Sequence, residues 1–159
     1  MAKFRLPALF AATMLSACTP APEVPRTVSP ELLDSVREGT VELTCRLSAC
    51  ENVWLARVEH AAHLTTQARW AELSQLLVAT NYSSDIGYYF LGRAADGLGS
   101  PRAAAHYYEI AKAELKDDHS CEAIGLCRGL GIPAVIDAEL TEAQRKAAGS
   151  TNGSNRAAR

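Results

Sequence analysis

The chain has 159 residues, 16 Lys+Arg against 18 Asp+Glu, 48% hydrophobic residues and five cysteines. That length suits one domain and excludes a two-domain cofactor enzyme. The near-balanced charge of −2 gives no basic surface for nucleic acid. Aromatics are only 6% while alanine abounds, which favours close-packed helices over a β-sandwich. An odd number of cysteines in a small chain requires an explanation.

The first seventeen residues read as an export signal. Lys3 and Arg5 supply a charged start. Leu6 to Leu15 is an apolar run broken only by Pro7 and Thr13, too short to span a bilayer core. The run ends in Leu15-Ser16-Ala17-Cys18, an aliphatic residue, two small residues and a cysteine. This end resembles the lipobox of bacterial lipoproteins. The resemblance implies cleavage after Ala17, a diacylglycerol thioether on Cys18 and acylation of the new amino terminus. Several acyl chains make a stable membrane anchor, whereas one would be marginal. Thr19 follows the cysteine, where an Asp would resemble the inner-membrane retention signal of enteric bacteria. The expected location is therefore the outer membrane, facing the periplasm.

Residues 18–29 form a tether. Pro20, Pro22, Pro25 and Pro30 lie in or next to it, and such a stretch prefers extended polyproline II. At ~3.1 Å per residue it could hold a domain about 35 Å from the membrane.

Residues 30–148 read as one helical domain. Ser29-Pro30-Glu31 offers an N-cap, a proline at the first helical position and an acid in the first turn. Leu32, Leu33 and Val36 make an apolar stripe, and Gly39 closes the helix. Thr40 to Thr44 alternates, which predicts a short strand or extended segment. Helical spacing returns over Asn52–Thr66, Trp70–Val78 and Ile86–Leu98. Gly99 makes a turn, and Ser100-Pro101 repeats the start signal for a helix over Ala103–Leu115. A terminal helix is expected near Ala134–Ala148, and Gly149–Arg159, rich in Gly, Ser and Asn, reads as a disordered tail.

Within this pattern Tyr88 to Ala111 resembles a tetratricopeptide repeat. Leu91 and Gly92 stand in the first helix, Gly99 at the turn, and Ala104, Tyr108 and Ala111 in the second. Tyr88 replaces the family's usual Trp, and Lys116 stands where a closing Pro is usual. A glycine inside a helix costs ~1 kcal/mol, so Gly92 marks a close helix approach, with Ala104 and Ala111 as the facing small residues. Asn52–Thr66 and Trp70–Val78 read as a more degenerate copy. The fold class expected is therefore all-α: antiparallel hairpins in a short right-handed stack of about two repeats. Such a stack normally needs three repeats, so it requires extra stabilisation.

The cysteines supply it. Export places Cys45, Cys50, Cys121 and Cys127 in an oxidising space, where they are expected to pair. Three connectivities are possible. Two local bridges are preferred because Gly125, Gly129 and Gly131 let the second segment turn back. A crossed pairing would clamp the two ends of the domain instead. Zinc ligation is disfavoured, since the gap from Cys121 to Cys127 exceeds its usual spacing. No C-x-x-C pair occurs.

No catalytic set emerges. His60 and His63 share a helix with Glu59 but lack an evident third ligand. There is no nucleophile elbow and no Gly-rich phosphate loop. Neither a cofactor nor a metal is expected. The repeat resemblance implies a groove along the inner face of the first helix, at Ile86, Tyr89, Arg93 and Asp96, for a peptide or partner helix. An aromatic plus both charge signs suits such a ligand. The expectation is an envelope adaptor, bound to the membrane by lipid and to an envelope protein by its groove. A structural lipoprotein touching cell-wall polymer is the alternative.

Overall fold

The computed structural model describes residues 28–117, 120–122, 125, 127 and 129–150, and the backbone of 151–157. The signal segment, Cys18 and the tether up to residue 27 lie outside these residues. Seven helices and no strand occur among the described residues: α1 (Pro30–Glu38), α2 (Ser48–Leu55), α3 (Val58–Thr66), α4 (Trp70–Thr80), α5 (Asp85–Gly97), α6 (Pro101–Glu114) and α7 (Ala134–Ala157). The chain is all-α. Among the described residues no helix is long and apolar enough to cross a membrane.

α5 is the centre. Ten of its thirteen residues are buried, including Ile86, Tyr88, Phe90 and Leu91. A helix buried over most of its length must be enclosed by others. α4 and α6 flank it, and α1 and α3 also pack on it. α4 runs antiparallel to α5, which brings Trp70 at the start of α4 onto Gly97 at the end of α5. A Cβ on Gly97 would overlap the Trp70 indole. Gly92 likewise admits a neighbour, but the atoms it admits are the Tyr108 ring on α6. Ala104 and Ala111 are fully buried in the same region, yet the close approach is to an aromatic face rather than to them.

The caps follow local chemistry. Ser29 Oγ accepts from Leu32 N–H, and Gly39 ends α1 in the left-handed region at φ 78°. Ser84 caps α5 by accepting from Gly87 N–H. Gly99 adopts φ 81° in the turn before α6, although Ser100 makes no side-chain cap bond there.

Residues 40–45 are extended, but they pair with side chains rather than with a strand. Tyr107 OH accepts from Val41 N–H at 3.0 Å, and Tyr88 OH accepts from Leu43 N–H at 3.0 Å. A single parallel bridge joins Cys45 to Tyr82. Helices surround this segment, so tyrosine hydroxyls take the place of a sheet edge.

Three expectations need correction or refinement. The helix expected over Asn52–Thr66 is two helices, α2 and α3, parted at Ala56 and Arg57. Arg57 N–H bonds Trp54 C=O at 2.8 Å, a tight turn that redirects the chain. Trp54 on α2 and Val58, Ala61 and Leu64 on α3 are thereby all buried. The tail expected from Gly149 is helical up to Ala157, because extending a formed helix adds one bond per residue fixed. The cysteines pair locally, Cys45 with Cys50 and Cys121 with Cys127. Closing loops this short contributes about 2 kcal/mol each by chain entropy.

Gly92→Ala tests the α5–α6 contact. The added methyl gains helix propensity but forces the Tyr108 ring aside in a filled core. A net loss of about 1–3 kcal/mol is expected, seen as a lower midpoint in thermal unfolding.

Candidate functional site

Of the expected groove residues, Ile86 and Tyr89 are buried, and Arg93 and Asp96 are half-buried and ion-paired. Ile86 is fully buried. Tyr89 is 3% exposed and packs edge-on to Phe90, with ring centroids 5.3 Å apart. Arg93 Nη1 donates to Glu139 of α7 at 3.0 Å and to Tyr89 OH at 3.4 Å. Asp96 accepts from Lys146 of α7 at 2.7 Å. Lys112 on α6 reaches Asp137 at 2.6 Å. These contacts advance together along α5 and α7, so the two helices run in the same direction. The structure therefore leaves Arg93 and Asp96 already paired, by side chains of α7, which itself packs on α6. The open groove is corrected to a face whose ions are already paired, because Glu139 and Lys146 of α7 present the complementary charge to each.

The residues chosen for packing stand where packing requires them. Leu91, Ala104, Tyr108 and Ala111 are fully buried, and Gly92 admits the Tyr108 ring. His60 and His63 are both exposed on α3.

An opening remains beside that face, between α3 and α5. A cavity of about 360 Å³ is lined by Val58, Glu59 and Ala62 of α3, Phe90 of α5, and Leu130. Phe90 supplies an aromatic floor. It is held from behind by Trp54, with ring centroids 5.9 Å apart, and by Tyr89. Val58 is buried, Leu130 is half-buried, and Glu59 and Ala62 are exposed at the rim. The lining is mostly apolar with one carboxylate, the composition of a site that takes an apolar group and orients it. Sequence reading missed Phe90. It lies in the run Tyr88-Tyr89-Phe90-Leu91, where every residue looks like core. The available signal was angular: Phe90 follows Ile86 by four residues and so shares its face of the helix.

Below the pocket, Asp85 opens α5 and is wholly buried. Its Oδ1 accepts from Ile86 N–H and from Cys121 N–H, each at 2.8 Å, while Oδ2 has no hydrogen-bond partner among the described residues. Burial pushes this carboxyl above its ordinary value, against the pull of the two N–H donors. Nearby, Arg46 bonds Glu114 at 2.6 Å and also Asp117. Both disulfide segments are thus tied to the end of the bundle where α5 begins and α6 ends.

Comparison with known proteins adds no relative. No family model matches the chain, and no curated protein or solved structure matches it. The site therefore has to be argued from its own residues.

Asp85 gives a signed pH prediction. Its carboxyl holds a proton more tightly folded than unfolded. That contribution favours the fold below the ordinary value of 3.8 and fades as pH rises through the raised value. Asp85→Asn keeps an acceptor for both N–H groups and removes the buried charge. It is expected to unfold no earlier than wild type at pH 7 and to lose this pH dependence. Asp85→Ala orphans both donors and is expected to cost about 1–3 kcal/mol. Thermal unfolding followed by circular dichroism between pH 3 and 8 checks both.

Proposed function

We propose that the chain is a lipid-anchored adaptor on the periplasmic face of the outer membrane, which binds an envelope protein. The address comes from Leu15-Ser16-Ala17-Cys18 and Thr19. Two disulfides suit an oxidising compartment. The α5–α6 hairpin, with Leu91, Gly92, Gly99, Ala104, Tyr108 and Ala111, is the tetratricopeptide-like unit, and α7 serves as the helix that caps it.

The pocket between α3 and α5 carries the adaptor reading. It is open between α3 and α5, and its floor is aromatic. A cavity near the small end of ligand sites suits one large apolar side chain of a partner. Such a buried anchor supplies most of the energy in many protein interfaces. Glu59 stands on the rim beside that anchor. A peptide laid along Tyr89, Arg93 and Asp96 would first have to displace α7.

Two experiments test this reading. Cys18→Ser is expected to abolish labelling by radioactive palmitate, and retained labelling would refute the anchor. A photoreactive phenylalanine analogue at Ala62, on the rim, is expected to crosslink one recurrent envelope protein in intact cells. The same analogue at Val78, exposed on α4, should not. Equal products from both positions, or none from Ala62, would sink the adaptor reading.

A further inference from the structure

Among the described lining residues of the pocket, Leu130 is the one that no helix carries. A wall on irregular chain needs bonds other than a helix ladder to hold it. Three consecutive links do so. Asp85 Oδ1 accepts from Cys121 N–H at 2.8 Å. The disulfide joins Cys121, itself fully buried, to Cys127. Cys127 C=O then accepts from Leu130 N–H at 2.8 Å. The chain of links starts at the first residue of α5, and the same helix carries Phe90 little more than one turn further on. Floor and wall are both referenced to one rigid element.

We infer that Asp85 and the Cys121–Cys127 bridge are positioning groups for the pocket, fixing Leu130 opposite Phe90 and so setting the affinity for an apolar group. This inference rests on the pocket being the binding site. It differs from a purely stabilising role for the bridge. A stabilising bridge shifts the unfolding midpoint and leaves the affinity of the folded chain alone. A positioning bridge changes affinity in chains that remain folded.

The test uses the full chain in detergent, with labelled methyl groups, titrated with benzene. Apolar cavities smaller than this one hold benzene. Binding is read from the methyl resonances of Val58, Ala62 and Leu130, which keeps it separate from uptake by the micelle. Wild type is expected to show saturable shifts. In Cys121→Ser/Cys127→Ser the dissociation constant should rise about tenfold. In Cys45→Ser/Cys50→Ser, whose bridge does not reach the pocket, it should stay within about twofold. Asp85→Ala should behave like the first pair, with affinity restored in Asp85→Asn. If Asp85→Ala does not fold, the two double variants decide alone. Equal affinity in Cys121→Ser/Cys127→Ser and wild type, or an equal loss in both double variants, overturns the positioning role. Absence of saturable shifts in wild type overturns the pocket itself, and the inference with it.

Discussion

A helix buried over most of its length has to be enclosed, and α5 sets that requirement for the whole chain. Its backbone polar groups are satisfied within the helix, so it can sit in an apolar surround. Its side chains then dictate the neighbours. Gly92 and Gly97 are the places where Tyr108 and Trp70 come closest, and both would be blocked by a methyl group. Arg93 and Asp96 cannot be left bare beside a core, and α7 brings Glu139 and Lys146 to them. The short helices depend on the same centre. α2 and α3 have eight and nine residues, lengths at which an isolated helix is marginal in water. Trp54, Val58 and Leu64 bury themselves instead.

The irregular chain is held at the end where α5 starts. Residues 40–45 lean on Tyr88 and Tyr107, whose hydroxyls bond backbone groups that have no strand to join. Burial raises both phenols, Tyr107 to about 12, so they stay protonated throughout the physiological range. Arg46 ties the Cys45–Cys50 segment to Glu114 and Asp117. Asp85 ties the Cys121–Cys127 segment to α5. Each disulfide closes a loop that already has a polar link to the bundle. The bridges thus act on local geometry, whereas a crossed pairing would have spanned the domain.

What was legible in the sequence was what local chemistry decides. Ser29-Pro30 and Gly39 bound α1 because capping and left-handed glycine are properties of a few adjacent residues. The α5–α6 hairpin was legible because small and aromatic residues recur at fixed offsets. The pairing of Arg93 and Asp96 was not. Whether Arg93 meets a ligand or Glu139 depends on a helix some forty residues away. Nothing near Arg93 reports its arrival. The break at Ala56 was hidden for a related reason: neither glycine nor proline marks it, and the burial of Trp54 alongside Val58 is a tertiary demand. Phe90 was indistinguishable from its neighbours, because core and pocket floor use the same residue type. Only the position of α3 separates the two roles.

The way α7 is held bears on how a partner can approach. Its ion pairs with Arg93, Asp96 and Lys112 are partly or largely exposed. Such pairs contribute at most about 1 kcal/mol each and weaken with salt. If they alone held α7, a charged partner helix could replace it. But α7 also buries Ile136 and Ala143 completely, with Val135 and Leu140 packed against the core. Fully burying an Ile-sized side chain is worth about 1.5–3 kcal/mol, and salt does not screen it. Displacing α7 would therefore return apolar surface to water as well as break ions. Entry beside α3 requires no such exchange, since Phe90 and Leu130 already line a space. For the same reason, the ions on α7 serve to set its register on α6 beside α5 more than to hold it down, and the space between α3 and α5 is where an apolar anchor meets least resistance.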